Sequence, residues 1–430
     1  MKTFAIFLFC GALLFSGCGI LTTKPIQTEP PIPSVDPIER LQTDIDAVLQ
    51  EELFTNASIG IKVVTVETGE VIYEKNSHKL HHPASTTKLF TAATALAKLG
   101  SDYQCETTLY ADAIVRGEVL GNIYLKGRAD PVLQPQDIAK LGDALLQAGV
   151  KSIQGNIVVD ETYLDAIWEG PGWMWDDRPL WINALSIREV EPDASKMSRA
   201  LACGHLLKTT LMEKGVNVIG NVVSGTVSSE AHTVAKHLSP PLADILKLMN
   251  KPSDNWTAEL VFKTIGAEVM GEPGTWKKGR DVVAGFLAEI MDEPPMHRFV
   301  DGSGLSRYNL LNAELLTKLL VYMYHNFEVM PEFLASLPIA GVDGTLKNRM
   351  QGMSAEKVLR AKTGTLSGVS ALAGYTVTAD DEVFAFGILI SHYVGPARLA
   401  RSIQDKIGNY LTGFNRHPVS NVSSKPSQDE

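Results

Sequence analysis

Ser85 and Lys88, three positions apart, are the residues whose types and spacing most directly indicate chemistry. They open a stretch of small and apolar residues that predicts a helix running to about Leu99. On a helix, positions three apart lie on one face, so the Ser85 hydroxyl and the Lys88 ammonium are expected one turn apart. A lysine desolvated in a closed site can lose its proton near neutral pH, and the positive helix N-terminus favours an alkoxide. The pair therefore predicts a serine nucleophile with a lysine as its base.

The serine-lysine spacing alone is a weak signal. Ser354 and Lys357 show the same spacing, and a serine that opens a helix often serves only as an N-cap. Two further motifs follow Ser85: Ser253-Asp254-Asn255 in a helical context, and Lys362-Thr363-Gly364-Thr365 leading into an apolar strand. Nothing like the middle motif lies between Lys357 and the last motif, so the order of the motifs favours Ser85 as the nucleophile.

The middle motif is predicted to move protons and to hold the base. Ser253 could relay a proton between Lys88 and a leaving amine. Asn255 could donate to a substrate amide and hold Lys88 in place. Both residues are therefore candidate catalytic residues, together with Ser85 and Lys88.

The last motif is predicted to bind substrate. The cation of Lys362 and the hydroxyls of Thr363 and Thr365 can hold a carboxylate. Gly364 lets a substrate lie against the strand edge as an added strand. The backbone N–H groups of Ser85 and Thr365 would form an oxyanion hole. All of these groups fit acyl transfer.

The three motifs in this order resemble the signature shared by penicillin-binding proteins and serine β-lactamases. Further segments are similar to the class C low-molecular-mass penicillin-binding proteins, the D-alanyl-D-alanine carboxypeptidase/endopeptidase family: Gly172–Asp177, Ser253–Glu259, Asp301–Arg307 and Ile339–Leu346. The resemblance runs from about residue 40 to residue 412. It implies a transpeptidase-like domain, sensitivity to penicillin, and hydrolysis of D-Ala-D-Ala termini or D-Ala-diaminopimelate cross-links through an acyl-Ser85 intermediate. It implies no metal and no organic cofactor.

Two other functions are also compatible with the sequence. A serine β-lactamase uses the same motifs, but no clear E-x-x-L-N segment with a deacylating glutamate lies between Asn255 and Lys362. The large insertion after Lys88 also points away from that class. A non-catalytic cell-wall binding protein could share the scaffold, although the intact motif residues argue against lost chemistry.

Several of the similar segments also have a plain structural interpretation. Asp301–Gly304 and Asp343-Gly344 could shape the rim of the site or could simply be turns. Four of the six tryptophans fall between Trp168 and Trp181, and these are expected to form core more often than a sugar-binding surface. Arg307 could pair with an acidic neighbour or with substrate.

Hydrophobic patterns predict an α/β (α+β) fold of the transpeptidase or β-lactamase type, with an antiparallel sheet flanked by helices. Hairpins are predicted at 58–74 and 368–391, and helices near 38–53 and from about 397. Strands from both ends of the chain are therefore expected to share one sheet.

The predicted catalytic domain is discontinuous, at 38–99 and 232–413. A smaller inserted domain, mainly β or mixed, is predicted at 100–231. Members of the similar family often carry a second nested domain. The stretch between Ser186 and Ala200 is short, which implies that this second domain is missing.

Composition limits the possible partners. A chain of 430 residues that is 45% hydrophobic can form two or three domains. A net charge of -10 without a basic run argues against nucleic acid. No zinc-type spacing of Cys or His occurs. The predicted partners are peptidoglycan stem peptides, with β-lactams as covalent inhibitors.

The N-terminus indicates export. Residues 1–18 are predicted to form a signal peptide with a lipobox, in which Lys2 is the positive start and Cys18 is lipidated. Cleavage to a soluble periplasmic form and retention of the segment as an anchor are the alternatives. A Pro-rich tether is predicted at 19–37 and a disordered tail at 414–430. The expected location is the periplasm, with a lipid anchor in the inner or outer membrane.

Two cysteines, Cys105 and Cys203, fall in the predicted folded part. In an oxidising compartment they could form one disulfide, and two buried free thiols are equally compatible with the sequence.

Overall fold

The computed structural model describes residues 36–177, 180–188 and 198–417. The predicted signal peptide and lipobox at 1–18 lie outside these residues. So do nearly all of the predicted tether at 19–37, the short stretch 189–197, and the tail from 418. Among the described helices, none is both long enough and apolar enough to cross a membrane.

The helices mostly have one buried face. In the described residues, the α-helices are α1 Pro37–Val48, α2 Thr87–Leu99, α3 Pro135–Gln147, α4 Arg199–Glu213, α5 Leu242–Asn250, α6 Asn255–Met270, α7 Trp276–Ile290, α8 Ala313–His325, α9 Met330–Ser336 and α10 Ala397–Gly413. Short 3-10 helices lie at Glu52–Phe54, Ala84–Thr86 and Gly344–Leu346.

The strands occur in groups along the chain, separated by one or more helices. They are β1 Ser58–Thr65, β2 Val71–Lys75, β3 Glu106–Ala111, β4 Ile114–Val115, β5 Glu118–Val119, β6 Ile123–Gly127, β7 Ser152–Ile153, β8 Ile157–Asp160, β9 Asn217–Val218, β10 Val222–Ser224, β11 His232–Leu238, β12 Arg360–Leu366, β13 Val369–Val377 and β14 Val383–Ser391.

The central sheet joins the two ends of the folded chain. Its five strands are antiparallel, in the order β12-β13-β14-β1-β2. β1 and β14 pair along their length, beginning at Ser58 and Ser391. Side chains alternate between the faces, so Phe386 packs in the core with α1 and α10, whereas Leu389 packs in the core with α2 and α6. The prediction that strands from both ends share one sheet is confirmed.

Helix α2 lies inside the core. Every residue from Thr87 to Leu96 is buried. Small side chains such as Ala92 and Ala93 allow other elements to pack around the helix, including α5, α6 and α7. A helix that is apolar on all sides has to be buried. This position carries Lys88 into the interior.

A second sheet lies in the middle part of the chain. Its order is β10-β8-β6-β3-β11, in which β6, β8 and β10 are parallel and β3 is antiparallel to both of its neighbours. A small sheet of β4, β5, β7 and β9 accompanies it, and α3 and α4 contribute Leu141 and Leu207 to the shared core.

The strand pairing moves one predicted boundary. The inserted domain was expected to end at 231, but β11 at His232–Leu238 pairs with β3 of the second sheet. Main-chain hydrogen bonds to β3 hold this segment, so the second sheet extends to Leu238. The division of the chain into two domains itself stays a prediction.

The packed part of the chain also extends beyond residue 413. The Phe414 ring is buried and lies 5.6 Å from the Phe384 ring, measured between centroids. Arg416 forms ion pairs with Glu70 and Glu382. These contacts hold residues 414–417 against the fold, so the predicted tail begins later than expected.

Both cysteines of the described residues are free and buried. Of the two alternatives for Cys105 and Cys203, the structure shows two separate thiols. Burial raises the pKa of Cys203 to about 12. Because the thiolate is the reactive form, this thiol is expected to be inert.

Candidate active site

Ser85 lies on a tight turn directly before α2. The turn is the 3-10 helix Ala84–Thr86, in which Ala84 has a φ of 48°. The hydroxyls of Thr86 and Thr87 donate to main-chain carbonyls of this turn at 2.8 and 2.9 Å. Ser85 itself is only half-buried, between two buried neighbours. The α-helix therefore begins two residues after Ser85, and the turn leaves the serine partly exposed.

The Lys88 ammonium is buried and has three acceptors. Its Nζ donates to Ser85 Oγ at 3.0 Å, to Asn255 Oδ1 at 2.7 Å and to the main-chain carbonyl of Ser303 at 2.8 Å. An ammonium has three N–H donors, so this set accounts for all of them. The structure brings Ser85, Lys88 and Asn255 together and adds a carbonyl that the sequence did not indicate.

Burial lowers the pKa of Lys88 to about 8, because the charged form loses hydration. The carboxyls of Glu259, Asp301 and Asp254 act in the opposite direction and raise this pKa. With a pKa near this value, roughly a tenth of the lysine is the neutral amine at about pH 7. Lys88 can therefore accept a proton from Ser85 near neutral pH.

The loop that presents the Ser303 carbonyl folds around a buried carboxylate, Asp301. Four donors lie within 2.6 to 2.9 Å of its oxygens: Trp173 Nε1, Asn309 Nδ2 and the N–H groups of Gly304 and Ser306. Asp301–Gly304 was expected either to shape the site or to be a plain turn. The structure favours the first interpretation, because this turn holds the carbonyl that accepts from Lys88.

A second buried carboxyl, Glu259, supports the same loop. Its Oε1 accepts from Ser303 N at 2.8 Å, and its Oε2 accepts from Gly302 N at 3.1 Å and Trp276 Nε1 at 2.8 Å. Burial, and then the nearby Asp301, raise the pKa of Glu259 to about 7. Sequence reasoning missed this residue. In the sequence, Glu259 could have been noticed as a single acidic residue in the largely apolar first half of α6.

The middle motif turns into α6. Ser253 has a φ of 65°, and Asp254 caps the helix by accepting from Thr257 N at 2.7 Å. The guanidinium of Arg188 donates to both oxygens of Asp254, at 2.6 and 2.9 Å. The cap fixes the first residue of α6, Asn255, whose side-chain oxygen faces Lys88. The helix thus begins at the last residue of this motif.

The lysine of the third motif forms its hydrogen bonds with groups of the protein itself. Lys362 is fully buried, and its Nζ donates to Ser253 Oγ at 2.8 Å and to the Thr363 carbonyl at 2.9 Å. Burial, and then the charge of Lys88, lower the pKa of Lys362 well below its usual range. The sequence predicted contacts of Ser253 with Lys88 and of Lys362 with substrate. In the described residues, Ser253 is paired with Lys362 instead.

Gly364 allows β12 to lie against the Ser85 turn. A Cβ at this position would be 2.7 Å from the Pro83 carbonyl oxygen and 3.1 Å from Ala84 Cβ. The first distance is shorter than any normal carbon–oxygen contact and involves backbone, which cannot swing away. Glycine is therefore needed for this approach, in addition to the predicted role of Gly364 beside a substrate.

The N–H groups of Ser85 and Thr365 belong to two segments that meet at Gly364. β12 is an edge strand, and the Ala361 N–H donates away from β13, to the Pro338 carbonyl at 3.0 Å. Because N–H directions repeat every two residues, the Thr365 N–H points to the same open edge. The Ser85 N–H lies in a first turn, where a helix offers no acceptor. The contact of Gly364 with the turn makes these two segments neighbours, which an oxyanion hole requires.

The remaining predicted residues lie around this centre. The Arg307 guanidinium donates to the Leu305 carbonyl at 3.1 Å and so stays within its own loop. Thr345, which follows Asp343-Gly344, accepts from the Thr363 hydroxyl at 2.7 Å. The Asp343-Gly344 loop therefore contacts the third motif.

The tryptophans do not form a single core. Trp168 and Trp181 stack with ring centroids 4.2 Å apart, and Trp173 donates to Asp301. Trp175 is 91% exposed. Trp175 therefore lies at the surface, and not all four tryptophans form core as expected.

Among the described residues, no group of three or more His, Cys, Asp and Glu side chains has the geometry to hold a metal ion. The three motifs contribute two linked sets of groups: Ser85, Lys88, Asn255 and the Ser303 carbonyl form one, and Ser253 and Lys362 form the other. Such a set suits activation of a hydroxyl and stabilisation of an oxyanion.

Comparison with known proteins gives the family and the relatives that this chain resembles. The model of the D-Ala-D-Ala carboxypeptidase 3 (S13) family matches residues 41–187 and 188–412. A D-alanyl-D-alanine carboxypeptidase of Actinomadura sp. (strain R39) is 32% identical, over 88% of this chain and 86% of that protein. The D-alanyl-D-alanine carboxypeptidase DacB of Haemophilus influenzae is 26% identical, over 80% of this chain and 88% of that protein.

Solved structures show the same fold. The crystal structure of penicillin binding protein 4 (dacB) from Haemophilus influenzae superposes with a TM-score of 0.75 at 24% identity, covering 85% of this chain and 98% of that one. The same protein complexed with a β-lactam gives a TM-score of 0.71 at 26% identity, with the same coverage of both chains. These similarities confirm the predicted transpeptidase-like α/β fold.

Proposed function

The chain belongs to the D-Ala-D-Ala carboxypeptidase 3 (S13) family, and from this premise we propose that it hydrolyses D-Ala-D-Ala ends of peptidoglycan stem peptides through an acyl-Ser85 intermediate. The observation that supports this most directly is the buried Lys88 amine, 3.0 Å from Ser85 Oγ. β-Lactams imitate the scissile amide and acylate the same serine. The enzyme is a serine hydrolase of the penicillin-binding type.

Acylation begins with proton transfer from Ser85 to neutral Lys88. The Ser85 oxygen attacks the carbonyl of the penultimate D-Ala, and the oxyanion is stabilised by the N–H groups of Ser85 and Thr365. The proton then passes through Ser253 to the amine nitrogen, and D-Ala departs as the C–N bond breaks. Lys362 Nζ donates to Ser253 Oγ at 2.8 Å and orients the hydroxyl for this step.

Deacylation repeats the same steps with water. Lys88, neutral again, takes a proton from a water molecule that attacks the ester carbonyl. The ester bond breaks, Ser85 recovers its proton, and the shortened peptide leaves. Cross-linked peptides present the same D-Ala carbonyl with a different amine, so endopeptidase action on D-Ala-diaminopimelate bonds uses the same acyl-enzyme.

Mass spectrometry of muropeptides tests this proposal. Pentapeptide monomers and cross-linked dimers are incubated with the protein lacking its first 20 residues and with its Ser85→Ala variant. Ser85-dependent loss of D-Ala, or conversion of dimers to monomers, supports the proposal and shows which activity prevails. No change in either substrate would overturn it in favour of a wall-binding protein or a β-lactamase.

We also propose that residues 1–18 direct export and that lipid on Cys18 anchors the protein to the inner or outer membrane, facing the periplasm. The positive Lys2, the short apolar run and the small residues before Cys18 support this proposal. The test is membrane fractionation with labelled fatty acid. Cys18→Ala should lose the label, while Cys10→Ala should keep it. An unlabelled wild-type protein would contradict lipidation.

A further inference from the structure

A cavity of about 770 Å³ lies at the edge of the second sheet. It opens at the carboxyl ends of two neighbouring parallel strands, β8 and β10. Glu161 and Thr162 follow β8, and Gly225 and Thr226 follow β10. Open sheets with parallel strands commonly bind ligands at this end. Of the described residues that line the cavity, none takes part in the proposed mechanism.

Hydrogen bonds fix the walls of this cavity. The Asp160 carboxylate, fully buried at the end of β8, accepts from Thr162 N and Oγ1 at 2.9 and 2.6 Å. It also accepts from Val227 N at 2.8 Å, which ties the loop after β10 to the same carboxylate. In another wall, Lys263 of α6 donates to Asp165 at 2.6 Å. The cavity is therefore formed before a ligand binds, which lowers the entropic cost of binding.

One carboxyl in this cavity has an unsatisfied oxygen. Glu161 Oε1 is buried, and no group of the described residues donates to it. Burial raises the pKa of Glu161 to about 7, although a hydrogen bond from Asn183 acts in the opposite direction. Much of this carboxyl is therefore uncharged near neutral pH. Such a group suits a neutral ligand that brings its own N–H donor, since a buried acceptor without a partner is costly.

Apolar and aromatic groups line the same cavity. Val159, Leu164 and Ala184 are almost fully buried there. Trp168 also lines the cavity, and Trp181 stacks on its ring with centroids 4.2 Å apart. Sugar rings pack their C–H groups on aromatic rings, and an acetamido group joins an N–H donor to a methyl group. An N-acetylated sugar therefore matches both the buried acceptor and the apolar lining.

One helix, α6, connects this cavity with the Lys88 centre. Asn255 at its start accepts from Lys88, and Lys263 pairs with Asp165 in the cavity wall. These two positions of α6 are about two turns apart, or about 12 Å along the axis. In a pentapeptide stem the attacked carbonyl belongs to the fourth residue from the sugar, and four residues span at most about 14 Å. The lengths are similar, so one glycan-linked peptide is long enough to occupy both places.

We propose that this cavity binds an N-acetylated sugar of the glycan strand, with Glu161 accepting from the acetamido N–H while the attached stem peptide extends to Ser85. The inference deepens the proposed function and rests on it for the identity of the ligand. It assigns a substrate preference to the second sheet: peptides that are still attached to sugars should be better substrates than free peptides.

Binding of short sugars to the full-length protein tests the cavity directly, by isothermal titration calorimetry. The probes are N,N′-diacetylchitobiose and cellobiose, the matching disaccharide without acetamido groups. Glu161→Leu should weaken binding of the acetylated sugar about tenfold, because the acetamido N–H loses its acceptor. Wild-type protein should bind cellobiose about tenfold more weakly than the acetylated sugar. Tighter binding of the deacetylated, cationic dimer of glucosamine would overturn the proposal in favour of a cation site.

Two further variants complete the binding experiment. Glu213→Leu is the matched control, because Glu213 is exposed at the opposite end of α4 from Ser198, which lines the cavity. This variant should bind the acetylated sugar as the wild type does. Thr226→Val removes only an exposed hydroxyl from the rim and should weaken binding about threefold without affecting folding. Thermal unfolding is measured for each variant, and unchanged binding in both Glu161→Leu and Thr226→Val refutes the site.

Peptidase activity distinguishes failure of this inference from failure of the proposed function. The substrates are a disaccharide-linked pentapeptide and the same pentapeptide without sugars. Wild-type kcat/KM should be about tenfold higher on the linked peptide, and Glu161→Leu should remove this advantage through KM while leaving the free peptide unaffected. Hydrolysis of neither peptide would contradict the proposed function, whereas acetamido-dependent binding would still support the sugar site. Equal wild-type kcat/KM on the two peptides would overturn the inference and leave the proposed function intact.

Discussion

The Lys88 ammonium donates to the Ser303 carbonyl at 2.8 Å, across 215 positions of sequence. This contact ties the base in α2 to a loop held by two buried carboxyls, Asp301 and Glu259. The carbonyl orients the amine, and the carboxyls offset part of the cost of burying its charge. Burial is the main cause of the lowered pKa of Lys88, and this loop, which contributes no reacting group, orients the amine and limits the lowering.

Acylation of Ser85 is expected to rise with pH and to level off above about pH 8. Burial lowers the pKa of Lys88 to about 8, and only the neutral amine can accept the serine proton. Below this pKa the lysine is protonated and the base is absent, so the rate falls as the pH falls. The measurement is the rate of penicillin acylation across this range. A rate that stays flat through pH 8 would count against Lys88 as the base.

Replacing Lys88 with arginine should reduce acylation by at least about 1000-fold. A guanidinium keeps the positive charge but does not lose its proton in proteins. Lys98→Arg serves as the control, because Lys98 lies at the exposed end of α2 and pairs with Glu289. Stopped-flow acylation with a reporter β-lactam measures both variants. Near-normal activity of Lys88→Arg would contradict the proposed proton transfer.

Asp301→Asn should weaken the loop that holds Lys88. The new amide would place a donor among four donors that now face the carboxylate, at a cost of about 1 to 3 kcal/mol in the free energy of unfolding. Loss of the negative charge should also lower the pKa of Lys88, since Asp301 now raises it. Denaturant unfolding measures the first effect. The pH profile of acylation, which should move to lower pH, measures the second.

Gly364→Ala should reduce acylation about 100-fold or more while the protein stays folded. The added methyl would lie 2.7 Å from the Pro83 carbonyl oxygen and force β12 away from the Ser85 turn. This movement separates the two N–H groups proposed for the oxyanion. Acylation rate and thermal unfolding are measured together.

The matched substitution is Gly285→Ala. Gly285 is an exposed residue inside α7, and a Cβ there meets nothing within 4 Å. Alanine is a better helix former, so this variant should gain about 1 kcal/mol of stability and keep full activity. Similar activity of the two variants would show that the contact of Gly364 is unimportant.

His81 should make the protein less stable in acid. It is 2% exposed, both ring nitrogens lack partners, and burial lowers its pKa from 6.5 to about 4. Burial is the largest cause of this lowering, and the nearby His392, Lys79 and His82 contribute to it in the same direction. The unfolded chain takes up this proton near pH 6.5 and the folded protein only near pH 4, so stability is lost as the pH falls between them.

The loss attributable to His81 is about 3 kcal/mol across this interval. His81→Phe should flatten the dependence of unfolding free energy on pH between these values. His78→Phe is the control, since the His78 side chain is 72% exposed. Denaturant unfolding at several pH values measures both variants. An unchanged slope in His81→Phe would contradict the assignment.

Short-range patterns made much of the fold predictable. Alternating apolar residues indicated the two hairpins of the central sheet, and helical spacing indicated α1 and α10. The spacing of Ser85 and Lys88 predicted their contact, because residues three positions apart meet whenever the chain turns as a helix. These features depend on local geometry, so the sequence determines them by itself.

Tertiary structure decided the contacts between distant segments. The pairing of Ser253 with Lys362 and the closeness of Arg401 to Thr365 depend on how α6, α10 and β12 pack against one another. The Ser303 carbonyl could not be found by residue type, since every residue has a carbonyl and only the fold aims one at Lys88. Sequence spacing determines the relative direction of two side chains only when both lie in the same helix or strand. Between different elements, this direction depends on how the elements pack.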